Sequence, residues 1–162
     1  MKDVTLELAS VSPGSRLADV AAKRADIFEL TGKTHGAALK PADPGGLPHA
    51  LRAALAARMA KLNRDDAFAR HFDRLLEQAQ PAASDRRAAD PDFAGDDSLA
   101  RAVIRHVDLV AADPKSAQGA DIDRLREAGL SEPDIVRLSE LAAFVSYQLR
   151  VAAGLRLMKD GS

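Results

Sequence analysis

The sequence predicts an all-α protein, on three observations. Apolar residues recur at helical spacings through most of the chain. Alanine is abundant, while aromatic residues make up only 4%. Stretches of turn chemistry cut the chain into helix-length pieces. Alanine favours helices, and β-branched and aromatic residues lead in strands, so this composition favours close-packed helices over a sheet. With 162 residues, 46% of them hydrophobic, the chain suffices for a single domain over 1–162 with a buried core.

In chain order, Val4, Leu6 and Leu8 alternate with Thr5 and Glu7, which predicts an extended arm or tail over residues 1–14. Ser15 is placed to cap a helix carrying Leu17, Val20, Ala21, Ile27 and Phe28, whose end Gly32 and Gly36 loosen. Residues 40–48, KPADPGGLP, are turn chemistry. Leu51 to Gln78 then reads as a helical hairpin. Leu51, Leu55, Met59 and Leu62 form a stripe on the first arm, and Phe68, Phe72, Leu75 and Leu76 form one on the second; the break falls at Asn63-Arg64-Asp65-Asp66.

Residues 81–97 are polar, with two prolines, and predict an exposed loop in which Phe93 is the one large apolar residue. Ser98 can cap a helix bearing Leu99, Val103, Val107 and Val110, which Asp113-Pro114 ends. A short helix follows at 120–128, with Gly129 at its C-terminal turn. Ser131-Glu132-Pro133-Asp134 is a capping box with proline in the first turn, and opens a long helix over about 132–158. That helix carries two apolar stripes, Ile135/Leu138/Ala142/Val145/Leu149 and Leu141/Phe144/Val151/Leu155/Met158. Such a helix is buried in the bundle or at a subunit interface.

Charge narrows the function. Lys plus Arg number 23 and Asp plus Glu 24, with no basic excess of the kind that nucleic-acid binding uses. No apolar run reaches membrane-spanning length, and the first ten residues make a poor secretion signal, so the expected location is cytoplasmic. The chain has no cysteine. Disulfides, thiolate metal sites and cysteine redox chemistry are therefore excluded within it.

Two segments carry a resemblance: LPHALRAALAARMAKLNRDDAFARH, Leu47 to His71, and DIDRLREAGLSEPDIVRLSELAAFVSYQLRVAAGLRLM, Asp121 to Met158. Together, over about two thirds of the chain, they resemble the carboxymuconolactone decarboxylase (CMD)/alkylhydroperoxidase-D superfamily, in a Cys-less CMD-domain branch. The resemblance implies an alkylhydroperoxidase-D-like helical bundle. Peroxidase-active members carry a Glu, eleven residues, then Cys-x-x-Cys-x-x-x-His, with the cysteines at a helix N-terminus that lowers their pKa. By spacing, the Glu position is Arg52, the cysteine positions are Arg64 and Ala67, and the His position is His71. Only the histidine remains. Neither Arg64 nor Ala67 can form a sulfenic acid, so thiol peroxidase activity is expected to be absent.

His71 has two readings: a general acid/base or ligand contact in the family's pocket, or a histidine at the edge of the Phe68/Phe72/Leu75 core. Arg52 and Arg64 either bind a carboxylate or phosphate beside it or are solvated and ion-paired. Tyr147, Gln148 and Arg150, on the long helix, read as a hydrogen-bond network or a subunit contact. His35, His49 and His106 are not spaced as metal ligands, and neither a metal site nor a cofactor is expected. Two functions follow. The first is a structural or regulatory subunit of a homo-oligomer, with a cysteine-bearing family relative as a partner that the resemblance implies. The second is a cofactor-free acid/base enzyme, decarboxylase- or isomerase-like, using His71 with an arginine anion site.

Overall fold

The structure, a computed structural model, describes residues 3–160. Among the described residues the chain is helical without strands. Its centre is α4, His49–Leu62, which packs against α3 (Ala25–Leu39), α5 (Asp66–Gln78), α6 (Ala83–Ala88), α7 (Ser98–Ala112) and α9 (Glu132–Asp160). Every residue of α4 from Arg52 to Ala60 is buried. The expected single stripe is thus only part of the buried surface. Ala53, Ala54, Ala56, Ala57 and Ala60 let neighbouring helices approach on the remaining sides. Leu55 and Met59 lie fully inside, each contributing about 1.5–3 kcal/mol of apolar burial.

The break after α4 is a helix-stop motif made without glycine. Arg64 takes a left-handed φ of 56°. Asp65 N–H then reaches Ala60 O at 2.9 Å and Arg64 N–H reaches Lys61 O at 3.0 Å, which satisfies carbonyls that the helix end leaves open. Asp65 immediately caps α5, accepting from Phe68 N–H at 3.2 Å. One short turn therefore closes one helix and opens the next, and the two pack side by side.

α9 is buried along the first expected stripe and along the second as far as Leu155, against α4, α7 and α3; Val151 is half-buried, and Met158, at the end of the second stripe, is exposed. Its start has the expected Ser131 cap: Ser131 Oγ accepts from Asp134 N–H at 3.3 Å, but the Asp134 carboxylate accepts from the same hydroxyl at 2.7 Å and not from the Ser131 N–H that a full box uses. No helix among the described residues is long and apolar enough to cross a membrane.

Three segments differ from the expectation. Residues 4–8 are a helix, α1 (Val4–Leu8), and not an extended arm. Asp3 caps it through Leu6 N–H at 3.0 Å, and docking on α3 and α9 outweighs an alternation only five residues long. The first helix divides into α2 (Arg16–Ala22) and α3, which runs on through Gly32 and Gly36. Lys23 and Arg24 at the break carry no turn chemistry that would mark it. Within the expected loop 81–97, residues 83–88 form α6, and the remainder is pinned from beneath by Arg58. Asp97, not Ser98, caps α7, accepting from Ala100 N–H at 2.8 Å. The short helix is α8, Gly119–Glu127, followed by Gly129 at a φ of 95°.

Candidate functional site

His71 lies in the second turn of α5 and His35 in the last turns of α3. Packing α3, α5 and α9 together brings their Nε2 atoms to 3.1 Å. Phe72 stacks on the His35 ring and meets the His71 ring edge-on, while Phe144 of α9 closes the other side of His35. Behind His35, its Nδ1 lies 3.0 Å from Gln148 Oε1, and Gln148 Nε2 donates to Thr5 Oγ1 at 3.1 Å. Gln148 is 0% exposed, so these bonds satisfy a polar group that burial would otherwise penalise.

The direction of this chain fixes the tautomers. Gln148 turns its oxygen to His35, so His35 Nδ1 donates and its Nε2 accepts. His71 Nε2 must then donate, which leaves a lone pair on His71 Nδ1. Among the described residues no group hydrogen-bonds that atom. Burial first, then His35, Arg74 and Lys40, push the His71 pKa from 6.5 to about 4. Burial also lowers His35, against the opposing pull of Gln148 and Asp3. Both imidazoles are neutral at neutral pH.

This has a measurable sign. The unfolded chain protonates these rings near pH 6.5, whereas folded His71 takes its proton only near 4. Between those values the unfolded state binds more protons, so stability is lost as pH falls through that window. Urea unfolding between pH 7 and pH 4 should show a steeper loss in the wild type than in His71→Gln. Parallel profiles would contradict the neutral pair.

The structure does not gather the expected arginines around His71. Arg52, 3% exposed, donates from Nε to Leu47 O at 2.8 Å, from Nη1 to Ala38 O at 2.9 Å and from Nη2 to Pro44 O at 3.1 Å. It fastens the turn 40–48 to the head of α4. The open cavity of about 570 Å³ that it borders is lined by Thr34, Pro41, Arg137, Glu140 and Phe144, and His71 is not part of it. Arg64 is exposed at the hairpin tip, where its backbone conformation is what the turn uses. Among the described residues no hydrogen bond or ion pair joins either arginine to His71.

Of the other candidates, Gln148 is the buried hinge of the histidine chain, Tyr147 OH lies 3.2 Å from Thr31 Oγ1, and Arg150 is exposed. His49 Nε2 bonds Pro41 O at 2.9 Å, and His106 sits buried beside Ser139. Among the described residues no group of three His, Cys, Asp or Glu side chains is arranged to hold a metal ion.

Sequence reasoning passed over His35 as a partner of His71, and over two ionic clamps. Arg58 holds Asp108 bidentately and the carbonyls of Asp90, Pro91 and Phe93; Arg156 holds Asp65 bidentately at 2.7 and 3.1 Å and also Leu8 O. The one available signal was an arginine inside an alanine run, since a helix buried all round must give Arg58 partners. No family model matches the chain, and no curated protein matches its sequence.

Proposed function

We propose that the chain is a Cys-less, non-peroxidase member of the CMD/alkylhydroperoxidase-D superfamily, serving as a structural or regulatory subunit of a homo-oligomer. The observation that carries this reading is the fate of Arg52. At the position where a thiol relay needs a carboxylate, the chain has a guanidinium committed to three backbone carbonyls. The position has become part of the scaffold. Val20, Ile27, Leu30 and Tyr147 leave apolar surface outward on α2, α3 and α9, which suits contact with another copy.

The His35–His71 relay favours a second reading, an acid/base enzyme. That reading also needs an anion-holding arginine, and Arg52 is already spent on the turn it ties down. Light scattering at micromolar concentration separates the two. An assembly without thiol-dependent peroxide turnover is the expected result. A strict monomer, or turnover above a buffer blank, overturns the proposal.

A further inference from the structure

We infer that the His35–His71 pair is a binding site for a divalent transition metal of the zinc, nickel and copper class. The inference stands apart from the assembly proposed above and rests on three observations around one point. First, two ring nitrogens face each other at 3.1 Å. Imidazoles bound to a tetrahedral ion at about 2.0–2.1 Å place their nitrogens about 3.3 Å apart, so the separation changes by only a few tenths of an ångström, while each ring turns by about 35° to aim its lone pair at the ion. Second, the far nitrogen of His35 is already held by Gln148, itself fixed by Thr5. A ligating histidine is ordinarily oriented in this way, by a bond from its other ring N–H to a fixed oxygen.

Third, a buried carboxylate acts on the site. Asp3 is buried, and its Oδ2 has no hydrogen-bond partner among the described residues. Its charge favours a positive charge at His35. A cation held between the histidines answers that charge without contact. Lys40 and Arg74 act on His71 with the opposite sign and weaken the site.

Both rings are in the neutral form that binds metal, so no net proton is released. The ion takes the place of the shared proton, and His71 moves its hydrogen from Nε2 to the open Nδ1. Imidazole nitrogen suits zinc, nickel and copper; magnesium and calcium prefer oxygen and are not expected to bind. The two residues lie 36 positions apart on different helices, so no spacing motif announces them.

The test is calorimetric titration of the full chain with Zn²⁺, beside Mg²⁺ as control, with imidazole ¹⁵N NMR. One zinc per chain should bind, shifting the Nε2 resonances of His35 and His71 together. His35→Ala and His71→Ala should each lower affinity by at least about tenfold, and Arg74→Ala should raise it. His49→Ala, whose histidine bonds Pro41 O instead, should leave it unchanged. Should an alanine variant misfold, zinc protection of wild-type His71 from diethylpyrocarbonate, read by mass spectrometry, gives the same answer. Zinc affinity retained in the double variant, no joint Nε2 shift, or no protection would each overturn the inference.

Discussion

Arg58→Ala is expected to lower stability by about 3–5 kcal/mol, the range for removing one partner of a buried ion pair. Arg58 is 2% exposed, whereas the Asp108 side chain is 33% exposed. Losing the guanidinium strands more than a carboxylate: the carbonyls of Asp90, Pro91 and Phe93 lose their donor as well. Three backbone acceptors on one short segment then compete for water that α4 excludes, so the segment 89–97 should open and become cleavable by protease. Arg58→Lys should recover little, because one ammonium cannot serve a carboxylate fork and three carbonyls at different angles. Asp108→Asn should cost less, since that side chain retains access to solvent. Urea denaturation of the three variants orders them. If Asp108→Asn were the most damaging, the account of Arg58 as the central donor would be wrong.

Arg52→Glu is the second large effect. The substitution installs the residue type that peroxidase-active members of the resembled superfamily carry, yet here it should cripple folding. A carboxylate at this position faces the oxygens of Leu47, Ala38 and Pro44, all acceptors. It must be desolvated without a donor while three carbonyls lose theirs, a cost of several kcal/mol on the order of about 3 or more. Arg52→Ala removes the donor without adding charge and should fall between. Thermal unfolding followed by circular dichroism reads both. A glutamate variant melting within a few degrees of the wild type would show that the carbonyls are otherwise satisfied.

These two arginines show where sequence reading reaches and where it stops. Helical periodicity on α5, the Ser131 cap and the Asp113-Pro114 stop were legible because each is encoded within a turn or two. The hairpin break was legible for the same reason, although the left-handed backbone of Arg64 that makes it is not announced by the residue type. The role of Arg58 depends on residues 32 to 50 positions away, and that of Arg156 on residues 91 and 148 away. Local patterns carry no record of such pairings. His71 was singled out from the sequence, but its neighbour His35 was not, because α3 and α5 meet only through tertiary packing. α1 misled because five residues can alternate by chance, and its fate was decided by the berth that α3 and α9 offer.

The clamp between Arg156 and Leu8 O joins positions 148 apart. In a growing polypeptide, α1 leaves the ribosome well before the α9 surface that receives it is made. A helix of five residues has no standing of its own in water. Closing so long a loop is also entropically costly. Residues of α1 are thus made before α9 but fixed only after it, and Gln148 waits for the Thr5 hydroxyl until the two meet.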